Sequence, residues 1–255
     1  MIVRFLGTHN EESKHTRLVS ILIDGKLAID AGSLVSELTF SEQERIEAIL
    51  LSHGHYDHIK SIPAFAFSNA ERTTPVFATS QTLEILTSHL VDGLIYPDFT
   101  RKNDFLPRPV LKLCRLEAYQ SQVVAGYTVT PLPVNHPLET VAFEIAAGDK
   151  RLLYVTDSGP GLHDLWERVS PQLIIIDSTY PDRLEKTAWE AGHLCPRLLE
   201  EELLDFRQLR GYLPRVTLIH MGPHFEAEIR SEVESVAARL GVLIELADEG
   251  DRLTI

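Results

Sequence analysis

Six consecutive residues, His53-Gly54-His55-Tyr56-Asp57-His58, carry four metal-binding side chains. Imidazole nitrogen and carboxylate oxygen are the donors that borderline divalent ions such as zinc accept. A tight turn at Gly54 aims His53 and His55 at one ion, while Asp57 and His58 reach a second. Two divalent ions roughly 3.5–4 Å apart lower the pKa of a bound water to about 7, which gives a nucleophile at neutral pH. The plain alternative, a polar loop rich in histidine, leaves four donor-type residues in six positions without an explanation.

A turn of this kind needs a rigid support, and the apolar run Ile49-Leu50-Leu51 in front of it reads as a buried strand. Met1 to Gly7 reads as a short strand ending in glycine. Leu18–Ile23 and Lys26–Asp30 flank Asp24-Gly25, a strong hairpin signal that starts the chain as an antiparallel sheet edge. Val129–Val134, Leu152–Thr156 and Leu173–Ile176 read as further strands. Val216–Ile219, Val242–Leu246 and Leu253–Ile255 are expected to close the second half. Helical spacing of apolar residues covers Ser80–Leu90, Pro196–Arg207 and His224–Leu240, with Gly241 placed for a left-handed helix end.

A His-x-His-x-Asp-His run after a strand resembles the metallo-β-lactamase superfamily, and the resemblance covers nearly the whole chain. It implies an α/β fold, an αββα sandwich of two mixed sheets flanked by helices, with metals in a cleft at one sheet edge. It also implies further ligands: His136 after the strand Val129–Val134, Asp157 in Tyr154-Val155-Thr156-Asp157-Ser158-Gly159, and His220 after Val216–Ile219. By this carry-over His53, His55 and His136 hold the first ion, Asp57, His58 and His220 the second, and Asp157 bridges them. The implied cofactors are two divalent ions, zinc first, with manganese and iron also suited to a mixed histidine and carboxylate set.

The superfamily hydrolyses lactams, thioesters and phosphodiesters, so the substrate must come from other residues. Asp177-Ser178-Thr179-Tyr180 and Ala191-Gly192-His193-Leu194-Cys195-Pro196 resemble the acidic and Gly-His elements of the phosphodiesterase branch, which includes ribonuclease Z and the class II cyclic-nucleotide phosphodiesterases. That resemblance makes His193 a non-ligand histidine that binds a phosphate oxygen or protonates the leaving alkoxide. Asp177 would orient it, and Asp57, Asp177 and His193 are the expected catalytic residues. The alternatives are a helix-start histidine whose ring caps a backbone group and an aspartate that caps a turn.

Ser80 to Phe99, with His89-Leu90 and Leu94-Ile95-Tyr96-Pro97-Asp98-Phe99, is similar to the class II pattern. Ribonuclease Z usually carries a long arm for transfer RNA between the third histidine and the bridging aspartate, and here only about twenty residues separate His136 from Asp157. Two departures bear on substrate. Thr8-His9-Asn10-Glu11-Glu12 stands where the class II pattern has a Gly-rich loop, and Leu194-Cys195-Pro196 where it has Leu-Thr-Pro. The expected reaction is hydrolysis of 3′,5′-cyclic nucleotides (cAMP or cGMP) to 5′-nucleotides by a metal-bridging hydroxide. The competing readings are a ribonuclease Z-like endonuclease without the arm, another hydrolase of the superfamily, and a non-catalytic nucleotide-binding protein.

At 255 residues and 44% hydrophobic content the chain can bury one sizeable core, so residues 1–255 are read as one domain. A net charge of −13 argues against a general polyanion-binding surface, which makes RNA the less favoured partner and leaves a small anionic phosphodiester. No secretory signal or membrane span is visible, so no membrane partner is expected. Cys114 and Cys195 lack zinc spacing and suggest reduced thiols in a cytoplasmic protein. Exposed apolar residues from Leu94 to Phe105 suit a homodimer contact. His9, His15, His89, His163 and His224 are expected at the surface, in caps or behind the site, with His224 nearest the cleft. Phe65, Phe67 and Tyr96 are expected in the core.

Overall fold

The computed structural model describes residues 1–104 and 106–255; Phe105, part of the expected dimer contact, lies outside them. The strands are β1 (Ile2–Gly7), β2 (Ser20–Ile23), β3 (Leu27–Ile29), β4 (Ala48–Leu50), β5 (Thr74–Ala78), β6 (Leu111–Arg115), β7 (Gln122–Val124), β8 (Tyr127–Val134), β9 (Thr140–Ala147), β10 (Lys150–Val155), β11 (Leu173–Asp177), β12 (Arg215–Ile219), β13 (Ile244–Leu246) and β14 (Arg252–Thr254). They form two seven-stranded sheets, ordered β14-β1-β2-β3-β4-β5-β6 and β13-β12-β11-β10-β9-β8-β7. Both are mixed. β14, β1, β2 and β3 pair antiparallel before β4, β5 and β6 continue parallel. In the second sheet β10 to β13 are parallel and β7 to β10 antiparallel.

Side chains alternate across each strand, so one strand feeds two cores. Leu152, Tyr154, Leu173 and Ile175 meet Phe5, Ile21 and Leu50 of the other sheet. Leu153, Val155, Ile174 and Ile176 pack outward under the helices. Burial on both faces explains why β10 and β11 read as continuous apolar runs. The first sheet is covered by α1 (Leu34–Glu37), α2 (Phe40–Gln43), α3 (Tyr56–Ile59), α4 (Ile62–Ser68) and α5 (Ser80–His89). The second is covered by α6 (His163–Trp166), α7 (Glu185–Ala191), α8 (Pro196–Arg210) and α9 (Glu226–Leu240). The layering is the expected αββα sandwich.

Four expectations need correction. The carboxyl-terminal strand does not close the second half: β14 pairs with β1 and makes the outer edge of the first sheet. α9 begins at Glu226, because Gly222 to Phe225 form a turn in which the Phe225 amide donates to the Gly222 carbonyl. Phe67 is not core but 67% exposed, on the solvent side of α4, and Tyr96 is likewise exposed rather than core, whereas Phe65 is buried. Gly241 does end α9 in a left-handed conformation, with φ 64°. Cys114 and Cys195 are free thiols. No helix among the described residues is long and apolar enough to cross a membrane.

Candidate metal centre

Five strands release donor-type residues at one edge of the sandwich. β4 leads into the turn carrying His53; His55 begins α3, whose first turn holds Asp57 and His58. β8 ends two residues before His136, β10 two before Asp157, and β12 immediately before His220, while Asp177 is the last residue of β11. Carboxyl ends of strands in α/β sheets are where ligands bind, because loops there converge on a rigid support.

Among the described residues three groups of donor atoms result: His53, His55, His136 and Asp157; Asp57, His58, Asp157 and His220; and a smaller group of Asp177, His193 and His220 that shares His220 with the second. In the first, His55 Nδ1 lies 2.9 Å from His53 Nε2 and 3.2 Å from His136 Nε2. Asp157 Oδ2 stands 3.5 and 3.9 Å from the Nε2 atoms of His53 and His136. In the second, Asp157 Oδ1 is 3.2 Å from both His58 Nε2 and His220 Nε2. Asp57 Oδ2 is 3.3 Å from His58 Nε2 and 3.2 Å from His220 Nε2. Nitrogen and oxygen atoms about 2.0–2.1 Å from a tetrahedral ion sit roughly 3.3 Å from each other, so both sets have the span of a coordination shell. Asp157 turns one oxygen to each set, which is the geometry of a bridge.

The far side of the rings fits the same reading. His58 Nδ1 donates to Asp30 Oδ2 at 2.9 Å, His136 Nδ1 to the Gly192 carbonyl at 3.0 Å, and His53 Nδ1 and His220 Nδ1 meet the hydroxyls of Ser52 and Thr179. Outer partners of this kind fix which nitrogen faces inward. His58 Nε2 is buried and has no hydrogen-bond partner. Leaving such an atom unsatisfied costs about 1–3 kcal/mol, and a cation would accept its lone pair. Gly192 has φ 73°, and a Cβ there would come within 2.7 Å of Pro137 and 3.0 Å of His136 Nδ1, so only glycine can bring its carbonyl to that ring.

Charge follows geometry. Burial pushes His53, His55 and His136 below the ordinary histidine pKa, which keeps their lone pairs free. Burial acts against ionisation of Asp57 and Asp157, yet His58 beside Asp57, and His220 and His58 beside Asp157, hold both below the usual carboxylate range. His58 is raised well above its ordinary value because Asp157, Asp57 and Asp30 outweigh its burial. The pocket calls for positive charge at its second set. Among the described residues six non-glycines have positive φ, and three of them, Asp30, Asp157 and His220, belong to this centre. Backbone strain of this kind persists where the surroundings over-determine it.

His193 lies beside the donor sets. Its ring stacks on His220 at 5.1 Å and touches His136 edge-on at 5.2 Å, while its Nδ1 is 3.3 Å from Asp177 Oδ2. Burial opposes protonation of His193, but the hydrogen bond and charge of Asp177 prevail and raise its pKa. All residues the sequence singles out for the site are therefore brought together. His224 is not among the cleft-lining residues; its exposed ring faces Glu11 at 3.9 Å.

Two supporting residues escaped the sequence reading. Asp30 is fully buried and accepts from the Ser52 amide and hydroxyl, Tyr154 and His58. Its only signal is a carboxylate inside the apolar run Leu27 to Ala31. Thr179 links Asp177, His193 and His220 through one hydroxyl; it lies in the Asp177-Ser178-Thr179-Tyr180 stretch, where the sequence gives a role to Asp177 but none to the hydroxyl. The cleft mouth is lined by Asn10, Glu11, Glu12, Leu18 and Tyr56, with no lysine or arginine among its lining residues.

Residues 21–221 match a family model described as the Beta-lactamase superfamily domain. The probable metallo-hydrolase YhfI of Bacillus subtilis is 25% identical over 223 residues, covering 84% of this chain and 82% of that protein. Its crystal structure superposes with a TM-score of 0.78 at 20% identity over 99% of each chain. Unliganded yeast PDE1 gives a TM-score of 0.85 at 17% identity, over 100% of this chain and 99% of that one. The short form of human tRNase Z gives 0.71 at 15% identity, with coverage of 100% and 99%.

Proposed function

The chain belongs to the metallo-β-lactamase superfamily and is a metal-dependent hydrolase, and on that premise we propose that it is a dinuclear phosphodiesterase that converts 3′,5′-cyclic nucleotides to 5′-nucleotides. The observation that carries the proposal is His193. The two four-donor sets are complete without it, although it forms a smaller donor group with Asp177 and His220, and Asp177 and Thr179 hold it beside both sets. With Nδ1 directed at Asp177, its Nε2 is the nitrogen left for substrate on a ring that lines the cleft.

In this reading His53, His55 and His136 would hold one ion and Asp57, His58 and His220 the other, with Asp157 available to both. Divalent ions in those positions, zinc first among the candidates, would supply Lewis acidity and an activated water at neutral pH. Attack of a water oxygen at phosphorus would break the bond to the ribose 3′ oxygen, which would take a proton from His193 while the proton released by the water restores that ring; Asp177 orients His193 and favours its protonated form. Tyr56, 61% exposed between two donor residues, offers a face for the base. The mouth supports a singly charged substrate over RNA: Glu11 and Glu12 stand there, and the nearby Lys60 is already paired with Glu12. The residues between His136 and Asp157 are taken up by the hairpin of β9 and β10, which leaves no transfer-RNA arm. The free thiols support a cytoplasmic setting.

The test offers the metal-replete protein 3′,5′-cyclic AMP, a linear dinucleotide and a precursor transfer RNA, and separates the products. Conversion of cyclic AMP to 5′-AMP, with the RNA left intact, is expected. Cleavage of the RNA with cyclic AMP untouched would replace this reading by the endonuclease one.

A further inference from the structure

A cavity of about 640 Å³ opens far from the metal centre, lined by Ile2, Arg4, Leu22, Asp24, Gly25, Lys26, Glu42, Arg45, Glu47 and Arg252. β1 runs from Ile2 in this cavity to Gly7 at the metal edge, where Thr8 accepts from the His220 amide. Glu47 likewise precedes β4, whose other end leads to His53. The two sites are thus at opposite ends of the same strands.

The charges of the cavity are unequally engaged. Asp24 accepts from the Ile2 amide and the Tyr127 hydroxyl. Glu42 binds Arg4 at 2.9 Å and closes the capping box of α2 with Thr39. Lys26 sits over the Tyr127 ring at 5.0 Å. The chain has seventeen arginines, and among the described residues only Arg45, Arg108 and Arg252 have a guanidinium with no hydrogen-bond, ion-pair or ring partner. Two of those three stand at this one cavity. Arg252 lies directly opposite Arg4 across the β14–β1 pair. Like charges so placed are destabilising unless something offsets them, and Glu42 offsets only Arg4.

We propose that this cavity binds a dianionic phosphate group, free or carried by a small molecule, between Arg45 and Arg252 with Arg4 behind them. Guanidinium groups present paired donors that match phosphate oxygens, and a dianion needs more than one cation. Glu47 is the one carboxylate at the cavity left without a hydrogen bond, so the charge available to a ligand stays positive once Lys26 is counted. The volume lies in the range of small-molecule pockets, and Ile2 and Leu22 give an organic remainder an apolar wall.

Phenylglyoxal labelling of the metal-replete protein, resolved by peptide mass spectrometry, reads each arginine separately. Arg108 is exposed, like the cavity pair, and serves as the internal control. Inorganic phosphate, against chloride at equal ionic strength, is expected to slow labelling of Arg45 and Arg252 about tenfold once the site is nine-tenths filled, and to leave Arg108 unchanged. A second arm with adenosine 5′-monophosphate separates the two sources. Protection at a lower concentration than phosphate identifies a carried phosphate, and protection only at equal or higher concentration identifies the free ion. Failure of either cavity arginine to slow in both arms, or equal slowing of Arg108, overturns the site.

Discussion

The two donor sets present similar atoms but stand on different supports. His53, His55 and His136 are imidazoles pushed toward neutrality by burial, backed by a serine hydroxyl and a backbone carbonyl. Asp57, His58 and His220 include a carboxylate, and His58 rests on a second, Asp30, itself anchored by Ser52 and Tyr154. The neutral set suits a softer ion such as zinc, whereas the anionic set concentrates negative charge and accepts harder ions as well. Only Asp157 belongs to both, so it alone should couple their occupancies.

That difference can be broken or sharpened by four changes. Asp157→Ala should have the largest effect, emptying both sets and reducing phosphodiester hydrolysis to background; metal analysis that finds one set still filled would show that the sets are independent. His193→Ala should lower kcat about 10²- to 10⁴-fold with metal content unchanged, because it removes proton transfer without touching a donor. Asp30→Asn should weaken the ion of the second set about 10- to 100-fold and the other less, since it accepts directly from His58 and reaches His53 only through Ser52. Equal loss of both ions on titration with a chelator would erase the distinction between the sets.

The smallest effect is expected behind the anionic set, at His9. Burial opposes its protonation, but Glu249 and then Glu226 raise its pKa above 6.5. A raised folded value stabilises the protein fully below 6.5 and less as pH climbs through the folded value. Thermal unfolding of His9→Gln should therefore show its widest gap from the parent protein below pH 6.5, narrowing in alkali; a gap independent of pH would assign the effect to packing.

How much of this centre the sequence reveals depends on how local each contact is. His53 to His58 are legible because four donors share one turn, so type and spacing suffice. His136, Asp157 and His220 are scattered, each a polar residue after an apolar run, and only the resemblance to a family singles them out. Asp30 and Thr179 act through contacts formed when the sheets close: Tyr154 reaches Asp30 across 124 positions. The positive φ of Asp157 and His220 leaves no trace in residue type. The same holds for β14, too short to announce its partner until β1 is seen beside it.

The central claim is that two ions sharing Asp157 perform phosphodiester hydrolysis. Its most direct test is to strip the protein with chelator, return zinc in measured equivalents, and follow cyclic AMP turnover against bound metal. The account predicts that activity appears chiefly with the second equivalent and saturates at two ions per chain. Full activity at one ion, or two bound ions with no turnover of any phosphodiester, would contradict it.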